Sequence, residues 1–527
     1  MANIAVIDCE AQSSSTSTGK LISITGIYFN DNFEELDRFE FFCSNVPGYI
    51  PDPYSLWVNK GLKKLKESNM SHYQMMLEVH KYIKKWSPCQ WATWNGHGYD
   101  FPLIEKENYK SLLPIYSLKV NGNEATDFLP FARAAKVFHP DCLETSISAA
   151  GNPVFKLEDL GMKNFPNLDK SKFHTATMDV EVSALIMQRI KERAKPIFDS
   201  SMLTTSKQKA KDLILKNHLF TTCLYFFGKI RAFASTYFFD HPEFTWPMVW
   251  LCEKDPRDLM ALDYKSLKEV LKKPGPYIRA IPLKHPVILN ISYALKSEPF
   301  KTIGLDKLKE HADIIKNNPK FAEDCSKAVL ELYNEKKQKR TVEQDKALQD
   351  PHNQLYYGGF PKPEEQKKAE IFHSLDWGER YDAASKFEDK RFKYFGERLV
   401  YQNQPEALPR EVFQRIHVET AERVLRLEEK NFTTIPMAEH LIDSIRAEKD
   451  ISKEKLDYMD EVDAMIKEMR VTYEKALGKS DSDSDNDFEI PKFLQDKTPE
   501  KKEQVVSLEE RSKKKLNNTR KIKKDIA

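Results

Sequence analysis

No window of the sequence holds 18 uninterrupted apolar residues, and no basic stretch precedes the first apolar run, Ile4-Ala5-Val6-Ile7. Neither a membrane-spanning helix nor a secretory leader is expected. A large charge of one sign is missing too: 82 Lys and Arg stand against 80 Asp and Glu, a formal net charge of +2. Any basic surface for a polyanion must therefore be local. The seven cysteines, at 9, 43, 89, 142, 223, 252 and 325, form no C-x-x-C pair. Zinc sites and a disulfide framework are not expected, and a reducing, intracellular compartment fits. No internal repeat is visible.

What is present is a long chain, 40% apolar and 31% charged over 527 residues. That composition reads as a globular protein of two to four domains with a highly charged surface. Residues 1–195 read as α/β. Apolar runs predict strands at 4–7, 21–29 and 39–42, and helical spacing predicts helices near 72–86 and 176–193. Thr93 to Gly98 reads as a strand end entering a glycine turn, with a helix at 101–107 capped by Asp100. Residues 203–350 carry short strands punctuated by proline, then a helix near 305–335, which predicts a small β-rich domain. Residues 352–476 have long charged segments of helical spacing, as at 410–429 and 451–477. Residues 478–527 run from a Ser/Asp block to a basic end and are expected to be disordered.

Three acidic clusters stand out. In Asp8-Cys9-Glu10, strand alternation puts both carboxylates on one face where the apolar run stops, with Cys9 opposite. Two adjacent carboxylates repel unless a cation lies between them, and oxygen donors favour Mg²⁺ or Mn²⁺. Asp100 follows Trp94-Asn95-Gly96-His97-Gly98-Tyr99, whose glycines allow close approach of backbone to a substrate. His174 precedes Asp179 by five residues, too far round a helix to share its face. The spacing predicts His174 in a loop and Asp179 in the first turns of the following helix. A neutral histidine there suits proton removal from water near neutral pH. Singly, each cluster is most simply a surface strand end or a turn. Four carboxylates and a histidine together equip a site for two-metal phosphodiester hydrolysis.

The order D-x-E, Y-D, H-x4-D resembles the DEDDh exonucleases of ribonuclease H-like fold. The resemblance implies that Asp8, Glu10, Asp100 and Asp179 hold two Mg²⁺ ions, for which Mn²⁺ can substitute, and that His174 is the general base. Asn95 stands where that family has an Asn. Further segments narrow the resemblance to bacterial exonuclease I: Phe155-Lys-Leu-Glu-Asp-Leu160, Gln354-Leu-Tyr-Tyr-Gly-Gly-Phe360, Asp389-Lys-Arg-Phe392, Phe227-Gly-Lys229 and Pro286-Val287. The similarity is patchy but spans about 1–476. It implies an exonuclease domain, an SH3-like middle domain and a helical third domain closing a channel over single-stranded DNA, with processive 3′→5′ release of 5′-mononucleotides. The chain departs from the family at Ala11-Gln12-Ser13-Ser14-Ser15, where a Thr and a Gly usually follow D-x-E.

Candidate substrate contacts are Asn95, Tyr99, Arg133, Phe227, Lys229 and Arg231, since aromatics stack on bases while cations track phosphates. A core role for most aromatics of 224–239, and a solvated helix face for Arg133 and Lys136, are competing readings. The same chemistry on RNA, and a non-catalytic single-stranded-DNA-binding scaffold, are the alternative functions. Expected partners are single-stranded DNA and a single-stranded-DNA-binding protein docking through its acidic tail, with the enzyme a monomer. The expected location is cytoplasmic, or nuclear or viral-factory in a eukaryotic host. Asp487-Phe-Glu-Ile-Pro-Lys-Phe493 resembles such an acidic tip within the chain itself.

Overall fold

The computed structural model describes residues 3–478 apart from 14, 17–18, 170–172, 174, 227–228, 274–276, 340, 428 and 430–431. His174, Phe227 and the tail expected to be disordered beyond Gly478 thus lie outside the described residues.

The first sheet has the order β3-β2-β1-β4-β5. Its strands are β1 (Ile4–Ala11), β2 (Leu21–Phe29), β3 (Glu35–Phe42), β4 (Gln90–Thr93) and β5 (Glu124–Asp127). β1, β2 and β3 pair antiparallel, and β4 and β5 extend the sheet in parallel. Both faces are covered, so β1 and β2 read as near-continuous apolar runs. Helices Leu129–Phe138 and Ala176–Arg193 pack Ala132, Ala135, Val182 and Ile186 against Ile4, Val6 and Ile27. On the other face His72–Trp86 and Asp100–Lys110 bring Met75, Val79, Phe101 and Ile104 to Ala5, Ile7 and Ile24.

The structure corrects the expected boundaries in three places. β1 does not stop before Asp8. Pairing of Glu10 with Ser23 and of Ala11 with Leu21 carries it past both acids, with a bulge between Glu10 and Ala11. Asp100 is the first helical residue rather than the cap; Tyr99 precedes it and makes no side-chain capping bond. The helix near 305–335 is two helices, Leu305–Lys316 and Pro319–Gln338. Pro319 starts the second, a position where its missing N–H is harmless.

The second sheet is wholly antiparallel, in the order β10-β6-β7-β8-β9. Its strands are β6 (Phe220–Phe226), β7 (Lys229–Asp240), β8 (Pro247–Leu251), β9 (Ile278–Ala280) and β10 (Ile288–Asn290). The helices at 305–338 cover one face around Trp250 and Phe238.

The C-terminal helices pack on the first domain at two patches. Tyr73, Tyr109 and Leu112 join Phe395, Phe413 and Ile416. Ile22, Leu56, Leu62 and Leu65 join Ile442, Val462 and Ile466. Hydrogen bonds cross these seams, from Gly48 N to Tyr473 Oη at 2.8 Å and from Leu62 N to Tyr458 Oη at 3.0 Å. No helix among the described residues is long and apolar enough to cross a membrane.

Candidate active site

Alternation along β1 buries Cys9 in the core and turns Asp8 and Glu10, each half-buried, to the same face. Asp179 reaches them from the first turn of Ala176–Arg193, a helix capped by the Thr175 hydroxyl on Met178 N at 3.3 Å. One carboxylate oxygen each from Asp8, Glu10 and Asp179 lie within 4.8 Å of one another. Asp100 stands outside this triad but is the largest charged influence on Asp8. It is 5% exposed and accepts hydrogen bonds from the Cys9 backbone N–H and thiol.

The electrostatics are those of like charges confined together. Burial, then Asp100, Glu10 and Asp179, push Asp8 well above the usual carboxylate range, and Lys64 opposes them. Glu10 is pushed up to about 8, by burial and then Asp179. Asp100 rises to about 7, chiefly through burial. Such groups ionise together at neutral pH only when a cation shares the site. Every donor offered is a carboxylate oxygen, and burial raises the Cys9 thiol so that it offers no thiolate. That donor set fits a hard divalent cation such as Mg²⁺ or Mn²⁺.

The candidate substrate residues divide. Asn95 sits in the turn before Asp100 with a left-handed φ of +67°. Tyr99 donates its hydroxyl to Ser13 O at 2.9 Å, joining that turn to the segment after β1. Arg133 lies 3.7 Å over the Tyr225 ring of the second sheet. Lys229 and Arg231 pair opposite Phe226 and Leu224, whereas Tyr225 pairs with Ile230. Directly paired residues share a face, so Lys229 and Arg231 project from the opposite face to Tyr225. Phe233, Phe238 and Phe239 are core. Lys136 is turned onto Pro140 O and Leu143 O.

Sequence reasoning passed over three neighbours of the site. Lys64, on Gly61–Glu67, donates to Ser23 Oγ at 3.2 Å, and Ser23 pairs with Glu10. Asn59 donates to Ala11 O at 2.9 Å and hydrogen-bonds Glu10. Asp127, at the end of β5, accepts from the backbone of the Asn95 turn. Only Asp127 left a sequence signal, an Asp shortly before Leu-Pro at a helix start.

The chain resembles known proteins in sequence and in fold. The exonuclease I C-terminal domain family matches residues 349–469. The exodeoxyribonuclease I of Buchnera aphidicola is 26% identical over 235 residues, covering 44% of this chain and 48% of that protein. The chain thus spans about half the length of that relative. The Haemophilus influenzae exodeoxyribonuclease I is 21% identical over 416 residues, 73% of this chain and 83% of that protein. The solved E. coli exonuclease I in complex with a dA16 oligonucleotide superposes with a TM-score of 0.72 at 17% identity, covering 89% of this chain and 100% of that one. An ExoI/SSB-Ct complex matches at the same TM-score and identity, over 89% of this chain and 99% of that one. The fold is therefore that of a ribonuclease H-like exonuclease domain, an SH3-like domain and a C-terminal helical domain.

Proposed function

We propose that this chain, which belongs to the exonuclease I family, is a metal-dependent exonuclease degrading single-stranded DNA processively from the 3′ end to 5′-mononucleotides. The observation that carries the reading is the convergence of Asp8, Glu10 and Asp179 oxygens within 4.8 Å, with Asp100 beside them. Asp8, Glu10, Asp100 and Asp179 would hold two Mg²⁺ or Mn²⁺ ions. When bound, these supply a water of lowered pKa and stabilise charge developing on the phosphate. His174 takes the proton of the attacking water, and Tyr99 and Asn95 stand at the rim for the terminal nucleotide. Arg133, stacked on Tyr225, lines the passage between the first domain and the second sheet. Lys229 and Arg231, on the face of the sheet opposite Tyr225, and Phe227 are the proposed contacts to the strand beyond it. Divisions near 195–203 and 350–352 separate exonuclease, channel and helical domains, and the monomer works inside the cell. A single-stranded-DNA-binding protein docking by its acidic tail is the proposed partner.

The test is time-resolved product analysis on 3′- and 5′-labelled single-stranded DNA and RNA, with and without Mg²⁺. Mononucleotides appearing first from the 3′ label, on DNA and only with metal, are the expected result. Faster release from RNA, or equal rates on blunt duplex and single strand, would overturn it.

A further inference from the structure

We infer that Asp127, braced by His285 of the middle domain, is a positioning residue for the Asp100 carboxylate; the inference rests on the metal-site reading above. Asp127 ends β5 and is 4% exposed. Its Oδ1 accepts from Asn95 N at 2.9 Å and from Leu129 N at 3.1 Å. Its Oδ2 accepts from His97 N at 3.3 Å. One carboxylate thus ties the turn after β4 to the helix after β5.

The turn is a conformation the chain does not adopt freely. Asn95 is left-handed, which is costly for a residue with a Cβ. Gly96 lies so close to Thr93 that an added Cβ would fall 1.6 Å from Thr93 Oγ1. The turn closes directly on the Asp100 helix, with Tyr99 N and Phe101 N donating to Gly96 O at 3.2 and 3.0 Å. Any shift of the turn therefore moves Asp100.

Asp127 is itself held from another domain. Its backbone N–H donates to His285 Nδ1 at 2.9 Å, and His285 Nε2 lies 2.9 Å from Ser201 O. Nδ1 also lies 3.0 Å from Asp127 O, so one ring nitrogen faces the Asp127 backbone and the other the Ser201 carbonyl. The ring is 2% exposed and packs 4.6 Å from Phe131. Burial pulls it down to about 4, so it remains neutral near pH 7. His285 lies between β9 and β10, so the middle domain stands two hydrogen-bonding steps from the turn that sets a candidate ligand. On this inference the middle domain serves the chemistry as well as the grip on DNA.

Two variants of the full chain test it. Asp127→Asn keeps one acceptor oxygen and turns an NH₂ toward His97 N–H. His285→Phe keeps the ring volume and removes both hydrogen bonds. Mn²⁺ affinity without DNA, melting temperature, and kcat and KM on a labelled oligonucleotide are measured. Outer-layer changes around metals weaken binding about 10–100-fold, so each variant should lose at least about tenfold in Mn²⁺ affinity. The kcat should fall by more than KM for DNA rises, because Asn95 and Tyr99 ride on the same turn but supply only part of the grip on DNA. A folded Asp127→Asn with wild-type Mn²⁺ affinity and kcat overturns the inference and leaves Asp127 a helix cap. If that variant does not fold, His285→Phe decides by the same two readings. Wild-type protein that binds Mn²⁺ dependently on Asp100 but cleaves nothing would sink the proposed function, and the Mn²⁺ titrations would still decide the positioning role. Wild-type protein that binds no Mn²⁺ overturns both.

Discussion

Two clusters of buried charge lie in the first domain and meet burial in opposite ways. Around Glu107 the charges compensate one another. Its carboxylate meets Lys20 at 2.9 Å, His72 at 2.8 Å and Lys110 at 2.5 Å. Burial pushes Glu107 upward, but Lys110, Lys20 and His72 outweigh it and hold the carboxylate well below its usual range. Around Asp8 burial and three neighbouring acids act in the same direction. A compensated cluster is complete once folded. An uncompensated one is completed by a cation from outside. Sign balance, rather than depth, distinguishes the structural cluster from the site.

The hardest test of that contrast is removal of one acid from each cluster. Asp8→Ala or Asp179→Ala should lower turnover by on the order of 10³-fold, about 4 kcal/mol of barrier, with DNA binding by anisotropy retained. More than a tenth of wild-type turnover in either variant would detach the acids from the chemistry. The two histidines sharpen the contrast. His72, buried, is pulled down to about 4 and does not titrate near neutrality. His174→Ala should cost about 10²–10⁴-fold, the usual worth of a general base, and abolish the rise of rate with pH. An unchanged pH profile would remove His174 from that role.

Glu107→Gln should act on stability instead. Breaking a buried pair costs about 3–5 kcal/mol, because Lys20 and Lys110 lose their partner. Urea unfolding reads this directly, and a loss below about 1 kcal/mol would show the cluster to be no stronger than a surface pair. The remaining effect is in pH. Glu10 and Asp100 lie near 8 and 7 in the folded chain, against ordinary values of 4.5 and 3.8. The unfolded chain releases these protons at lower pH than the folded one. Without metal, stability should therefore fall as pH rises from about 4 to about 8. Mg²⁺ should restore more at pH 8 than at pH 5, and Glu10→Gln should flatten the curve. Melting temperatures independent of pH and metal would contradict the uncompensated site.

Much of the site's frame was legible because it rests on local rules. Alternation about Cys9 separated Asp8 and Glu10 from the core, and helical spacing located the helices His72–Trp86 and Ala176–Arg193. Strand continuation past Asp8 was not legible, since it depends on β2 pairing beyond the apolar run. Lys64 left no mark because a lysine on an amphipathic helix looks the same wherever that helix packs. His285 was equally silent: its partners lie 158 and 84 residues away. The split between Tyr225 and Arg231 needed the hairpin register, which shifts every side chain by a face when it moves by one residue.

The seams between the C-terminal helices and the first domain set a timetable for synthesis. Leu56 and Leu62 leave the ribosome about 400 residues before Val462 and Ile466, which cover them. At roughly 5–20 residues per second, that apolar patch waits tens of seconds for its lid. The nascent first domain then carries that apolar patch uncovered, with the acidic strand β1 already translated long before the molecule can close around it.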